Sequence, residues 1–452
     1  MHGLRYLCRR LSCGVHYSAL INTLHFTGSL LSKYYRRKYI YSLFNAGRVS
    51  VLLIALTGMA HALESAAVQS GLDVLVGQNF APLANRRLGI VCNHTARDRS
   101  GRHLIDLCQQ SGVCQITAIF APEHGFRGTF ADGKNIADAA DSLTGAPIYS
   151  LYGENLQPTA EMLKNVDLLV YDIQDVGARF YTYISTLTNV MRAAAENHLP
   201  IVVLDRPNPI RGDRIEGPVL EPQFRSFVGP HPIPIRYGLT VGELARLING
   251  EHWLGDTLRA ELTVIKMQNW RRAMWFDETG LPWFPPSPNM PTLLTATVYP
   301  GFCFMEGTNL SEGRGTDSPF VQFGAPYIDG KKYAHALNAL QIEGVQFQAV
   351  KFTPQNIPQV ASRPKYEGLA CQGVKLIVTD RERFLPIEAA VLCLAKAREL
   401  YPTDFKWREN HVNRLYGKAD LLRMTDPNVL IEDWRAEVAA FTKLAQKYYL
   451  YP

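Results

Sequence analysis

Short apolar runs rich in β-branched residues recur through the first half of the chain, and segments with helical spacing separate them. Residues 88–91, 116–120, 147–151, 166–171 and 201–204 have the continuous apolar character of buried strands. Residues 103–110, 159–164 and 184–197 place apolar side chains three and four apart, which predicts helices between those strands. Strand and helix alternating at this spacing predict βαβ units and a doubly wound parallel sheet. The polar, Ala- and Asp-rich stretch 130–145 reads as a loop with a helical turn. The pattern changes at residues 281–300, where Pro282, Pro285, Pro286, Pro288, Pro291 and Pro300 crowd together. Such a run is expected to hold neither a helix nor an interior strand, and so to form an ordered connector. Beyond it, residues 344–352 and 373–378 predict strands, and residues 386–401 and 431–449 predict helices. The fold class is therefore α/β: a domain over residues 71–290, then a smaller α+β domain over residues 291–452.

Charge changes the picture only at the N-terminus. Residues 1–62 contain eight of the 47 Lys and Arg and none of the 41 Asp and Glu, so the net charge of +6 belongs to this leader. Without it the chain is slightly acidic, which removes the argument for nucleic-acid binding. Residues 49–60 are almost wholly apolar, follow Arg36-Arg37-Lys38 and Arg48, and run into Ala60-His61-Ala62. A basic region, a short apolar core and a small-x-small site predict a cleaved secretory signal, with a mature chain beginning near Leu63. A dozen apolar residues are short for a membrane span, so no stable anchor is expected after cleavage. The protein is expected to be exported, to the periplasm or the cell exterior. The six cysteines beyond the leader form no CxxC pair and mostly lie in apolar runs, which favours buried free thiols over disulfides.

The chemistry gathers at strand ends. The first strand runs into Asn93-His94-Thr95. The second runs into Ala121-Pro122-Glu123-His124-Gly125-Phe126-Arg127-Gly128. The strand ending at Tyr171 delivers Asp172, Asp175, Arg179 and Tyr181, and the strand ending at Leu204 delivers Asp205-Arg206. The carboxyl ends of strands are where open α/β sheets bind ligands, so four such endings predict one polar cleft. Each residue has a plainer use as a helix cap or an ion-pair partner. No Gly-x-Gly-x-x-Gly follows the first strand, and no Walker loop or Gly-x-Ser-x-Gly elbow occurs, which argues against nucleotide cofactors and serine hydrolases. Convergence of His94, His124, Glu123 and Asp172 on a metal is the alternative, unsupported by any His-x-x-x-His pair. Paired carboxylates fit glycoside hydrolysis: Glu123 as proton donor, with Asp172 or Asp175 as its partner. Arg127, Arg179 and Arg206 suit an anionic substrate, because guanidinium clamps carboxylate in bidentate fashion. The glycine-rich loop at residues 305–316 adds Glu306, Asn309, Glu312 and Arg314.

Taken together, Asn93-His94-Thr95, the loop from Ala121 to Gly128, Asp172-Ile173-Gln174-Asp175-Val176-Gly177-Ala178-Arg179-Phe180-Tyr181-Thr182-Tyr183, Leu204-Asp205-Arg206-Pro207-Asn208-Pro209, Pro286-Ser287-Pro288-Asn289-Met290-Pro291 and Glu306-Gly307-Thr308-Asn309-Leu310-Ser311-Glu312-Gly313-Arg314-Gly315 resemble the bacterial exo-β-N-acetylmuramidase family. The resemblance runs from about Gly71 to the C-terminus. It implies a Rossmann-like N-terminal domain, a smaller C-terminal domain and a site in the cleft between them. It also implies removal of N-acetylmuramic acid from the non-reducing end of peptidoglycan fragments, without nucleotide or metal cofactor, and it matches Glu123 to the family's catalytic glutamate.

The expected catalytic set is therefore Glu123, Asp172, Asp175 and His124. The expected substrate-binding set is Asn93, His94, Arg127, Arg179, Tyr181, Arg206, Asn289, Glu306, Asn309, Glu312 and Arg314. The expected partners are peptidoglycan-derived saccharides such as N-acetylmuramyl-N-acetylglucosamine. The alternatives are a metal-dependent cell-wall hydrolase and a non-catalytic periplasmic sugar-binding protein.

Overall fold

A computed structural model describes residues 67–123, 126 and 139–452. The leader and signal expected over residues 1–62, the loop residues His124 and Arg127, and much of the polar stretch 130–145 lie outside the described residues.

The chain enters through α1 (Gly71–Gly77), fixed by a reciprocal cap in which Ser70 Oγ accepts from Asp73 N while Asp73 accepts from Ser70 N at 2.7 Å. Then come β1 (Arg87–Cys92), α2 (Leu104–Ser111) and β2 (Gln115–Ala121), with Gly112 ending α2 in the left-handed conformation (φ 64°). The short β3 (Ala139–Ala140) pairs antiparallel with β4 (Pro147–Ser150), and α3 (Ala160–Leu163) leads to β5 (Leu168–Asp172). After these follow α4 (Tyr183–Glu196), β6 (Pro200–Leu204), α5 (Val241–Gly250) and β7 (Glu261–Ile265). The strand order is β3-β4-β2-β1-β5-β6-β7, parallel from β4 to β7. The chain winds outward from β1 in one direction, returns, and winds outward from β5 in the other. The topological switch point therefore lies between β1 and β5.

Alternation along the strands makes two cores. Leu88, Ile90, Leu168, Val170, Val202 and Leu204 face α1 and α2, while Val91, Leu169, Tyr171, Ile201 and Val203 face α4 and α5. The second core continues into the C-terminal part. There α6 (Leu293–Phe302), β8 (Gln322–Ala325), α7 (Gly330–Asn338), β9 (Val345–Phe352), β10 (Cys371–Val378) and α8 (Pro386–Leu400) form a three-stranded antiparallel sheet, order β8-β10-β9, with its helices. The chain closes with α9 (Glu409–Tyr416), α10 (Asp420–Arg423) and α11 (Pro427–Gln446). Residues 66–452 form one unit, and the six cysteines within it are free thiols. Among the described residues no helix is long and apolar enough to cross a membrane.

One expectation fails. The proline-rich stretch is an irregular connector with a turn at Ser287 only up to Thr292, and α6 then runs from Leu293 through Pro300. Pro300 sits in the last turn, where one hydrogen bond is lost. Burial of Thr295 to Phe302 and packing of α6 on α8 offset that loss. Helices α1, α5 and α7 and strands β7 and β8 were also not evident in the sequence pattern. Strand β7 lies at the edge of its sheet and alternates between exposed and partly buried positions, so it lacks the apolar run of the inner strands.

Candidate active site

Strands β2, β1, β5 and β6 are neighbours, so their four polar endings do lie side by side along one sheet edge. A latch crosses the switch point. Asn93 Oδ1 accepts from Thr95 N (2.9 Å) and Thr95 Oγ1 (2.6 Å), and Thr95 Oγ1 accepts from Gln174 N at 3.0 Å. Gln174 in turn donates to the carbonyls of Asp175 and Pro207, both at 2.8 Å. The β1, β5 and β6 loops are thus tied together by side chains rather than left to move separately.

Glu123 follows β2 directly and is half-buried. Its Oε2 accepts from Thr182 Oγ1 at 2.9 Å, one residue before α4 begins. Its charge bears on the hydroxyls of Tyr181 and Tyr183. Tyr183 donates to Pro286 O at 2.6 Å, and His94 Nε2 donates to Pro285 O at 2.7 Å. The proline-rich connector is thereby fixed over the sheet edge. Asn289 belongs to the same strap and donates to Val360 O at 2.6 Å.

The two aspartates after β5 differ. Asp172 is fully buried and forms a bidentate pair with Arg206, whose Nη2 reaches Oδ2 at 2.8 Å. Burial pushes the Asp172 carboxyl up while Arg206 pulls against it. Asp175 Oδ2 accepts from Gly177 N at 2.7 Å and from the Tyr237 hydroxyl, whereas its buried Oδ1 makes no well-formed hydrogen bond among the described residues. Burial lifts the Asp175 carboxyl to about 6, against the opposing Tyr237 and Gly177 bonds.

The glycine-rich loop supplies a second polar cluster. Glu306 Oε1 accepts from Arg314 Nε at 2.9 Å, and His411 Nε2 lies 3.6 Å from its Oε2. Burial alone would raise Glu306, but Arg314, His411 and Lys365 outweigh it and hold the carboxyl at about 2. Glu312 lies 3.1 Å from Lys365 Nζ and 3.9 Å from Arg314 Nε. Aromatic rings join this cluster to the sheet edge: Tyr181 meets Tyr299 at 5.8 Å, Tyr299 meets Phe320 at 4.8 Å, and Arg314 lies over Phe320 at 5.1 Å.

Two of the expected binding residues, Arg179 and Asn309, are committed to the fold, and a third, Arg206, is so in part. Arg179 is fully buried, and its two terminal nitrogens donate to the carbonyls of Pro218, Ile233, Leu415 and Tyr416 at 2.7–3.0 Å. That use leaves no terminal N–H for a substrate carboxylate and corrects its expected role as a clamp. Arg206 gives Nε and Nη2 to Asp172, and Nη2 also to Arg97 O, while the residue still lines a pocket with Thr95 and Gln174. Asn309 donates to Asp404 O and accepts from Lys406 N and the Tyr327 hydroxyl, so all its amide atoms hold neighbouring loops. Thr182 lies inside a quoted motif, and only the fold puts its hydroxyl on Glu123. Tyr237 and Lys365 come from distant segments and carried no local signal.

Among the described residues no group of three or more His, Cys, Asp or Glu is placed to hold a metal ion. A doubly wound sheet with an acidic loop at its switch point, roofed by a smaller antiparallel domain, defines a small-molecule site of the α/β class. Family models described as the N-terminal and C-terminal parts of exo-beta-N-acetylmuramidase NamZ match residues 88–294 and 297–451. The chain belongs to that family. It is 42% identical over 389 residues to the peptidoglycan beta-N-acetylmuramidase NamZ of Bacillus subtilis (strain 168), covering 85% of this chain and 91% of that protein. Two crystal structures of DUF1343 family proteins from Bacteroides fragilis NCTC 9343 share the fold. One has TM-score 0.77 and 37% identity, the other TM-score 0.69 and 32% identity; each alignment covers 85% of this chain and 99% of the other.

Proposed function

We propose that the chain is an exo-acting peptidoglycan β-N-acetylmuramidase, a glycoside hydrolase that removes N-acetylmuramic acid from the non-reducing end of cell-wall fragments. Glu123 is the proton donor to the leaving oxygen. The observation that carries this reading is the placement of Glu123: a half-buried carboxyl at the end of β2, oriented by Thr182 and bordered by tyrosines at the switch-point edge. Family membership over most of the chain supports the activity. The preferred substrate is the disaccharide N-acetylmuramyl-N-acetylglucosamine. The basic, apolar and small-x-small leader supports export, which would bring the enzyme to the wall.

The test is Glu123→Gln, which keeps shape and the Thr182 bond but has no carboxylic proton. Disaccharide binding should survive while turnover falls about 10²–10⁴-fold, the usual worth of general acid–base catalysis. A nitrophenyl muramide, whose leaving group needs little protonation, should lose much less. Equal losses on both substrates would refute the acid assignment.

A further inference from the structure

Among the described residues, three buried polar atoms along the carboxyl ends of β1 and β5 make no hydrogen bond of good geometry: Asn93 Nδ2, Asp175 Oδ1 and the Tyr181 hydroxyl. Ser287 and Tyr183 near the Tyr181 hydroxyl, Tyr183 near Asn93 and Val176 N near Asp175 only bear on them from outside that geometry. Their residues are 0%, 6% and 9% exposed. Leaving one such group unpaired costs about 1–3 kcal/mol, and three on adjoining loops mark a place where something else is meant to bind. The rest of each side chain is fixed. Asn93 Oδ1 is held by Thr95, Asp175 Oδ2 by Gly177 N and Tyr237, and the Tyr181 ring packs edge-on against Tyr183 (4.9 Å) and Tyr299 (5.8 Å). The open valences are thus one anionic acceptor and two neutral donors, set in an aromatic wall. Glu123 accepts from the hydroxyl of Thr182, the residue next to Tyr181, at 2.9 Å, which brings this set to the proposed acid.

A secondary amide is the complement of that set, with one N–H to give and one carbonyl oxygen with two lone pairs to receive. Resting on the muramidase reading, we infer that Asp175, Tyr181 and Asn93 form the recess for the substrate's 2-acetamido group, and that this group acts as the internal nucleophile. Asp175 Oδ1 accepts the amide N–H, while Tyr181 and Asn93 donate to the carbonyl oxygen and turn it toward the anomeric carbon. In the first step the carbonyl oxygen bonds to C1, the C1–O bond to the leaving sugar breaks, and the Glu123 proton passes to the leaving oxygen. The positive charge on the resulting oxazolinium ring is balanced by Asp175. In the second step water bonds to C1 and gives its proton to Glu123, the ring C1–O bond breaks, and the acetamido group is restored. Two displacements at C1 retain the β configuration. Asp172, locked to Arg206, takes no part.

The experiment uses the full enzyme with nitrophenyl β-muramides carrying N-acetyl, N-fluoroacetyl, N-difluoroacetyl and N-trifluoroacetyl groups. Fluorination weakens the carbonyl nucleophile without removing the amide. Values of kcat/KM should fall progressively along the series, and proton NMR should show the β anomer of muramic acid released first. Asp175→Asn keeps a carbonyl oxygen for Gly177 N and Tyr237 but removes the charge. It should cut kcat by about 10²-fold or more and flatten the fluorine dependence, with KM nearly unchanged. Tyr181→Phe should reproduce the loss more mildly. A wild-type rate indifferent to fluorination, or first release of the α anomer, overturns the recess while leaving the muramidase reading intact. Release of muramic acid from none of these substrates overturns that reading and the recess with it.

Discussion

Arg179 illustrates how a residue's chemistry and its use part company. Its motif reads as an anion clamp, yet its guanidinium joins the loop after β5 to two carbonyls of the 218–233 segment and two at the end of α9. Burial lowers its pKa to about 9, so it remains charged at neutral pH and each carbonyl receives a charge-assisted bond. Arg179→Met should therefore lower unfolding stability by about 3 kcal/mol or more, since four buried carbonyls lose their donor. Urea titration measures this, and the folded fraction should keep the wild-type preference for muramyl over glucosaminyl substrate. A shift in that preference without loss of stability would return Arg179 to the site. Residue type made Glu123, Asp175 and Arg179 all visible in the sequence. The number of neighbours claiming each donor and acceptor was not, because those neighbours lie as far as 237 residues away.

At the scale of elements, the helix that sequence pattern denied packs tightly against α8 within the C-terminal part. In α6, a Cβ added at Gly301 would come 1.9 Å from Pro386 O, at the start of α8. An exposed helical Gly→Ala exchange ordinarily stabilises by about 1 kcal/mol. Here the obstacle is backbone, which cannot turn aside, so Gly301→Ala should instead destabilise by about 1–3 kcal/mol. Thermal unfolding should show a clear drop in Tm, and a rise would mean that α6 and α8 are farther apart than described. Other elements announced themselves locally. The apolar strand runs were legible, because a strand buried on both faces tolerates little else.

Across the whole molecule, buried carboxylates hold distant segments together. Asp205 accepts from Gly242 N and Thr240 at the start of α5 and from the Tyr451 hydroxyl at the C-terminus. Glu216 accepts from Ile387 N (2.8 Å) and Glu388 N (3.1 Å), capping α8 from the N-terminal part. Burial raises both carboxyls to about 7, more than their bonded neighbours lower them. The folded state therefore binds more protons than the unfolded chain between about pH 4 and pH 7. The stability these groups contribute is fully present at low pH and is lost as pH rises through 7. His231, which burial lowers to about 3, works in the opposite sense only below the usual histidine range. From pH 6 to pH 8 the unfolding free energy should fall, and Glu216→Gln, which keeps the cap without the charge, should remove about 1 kcal/mol of that fall. Urea titrations of both proteins at the two pH values check this. An equal fall in both would assign the effect to other groups.

The sequence by itself determined the inner strands, their alternation with helices, the polar strand endings and the family. These rest on local periodicity and on contiguous motifs. Tertiary structure decided the strand order that makes β1 and β5 neighbours, the helix through Pro300, and the contrast between Asp172 and Asp175. Both aspartates leave the same strand end with the same chemistry. Arg206 completes one, and no group among the described residues makes a well-formed hydrogen bond to the other's Oδ1, because that outcome depends on which groups a folded backbone brings within hydrogen-bonding distance.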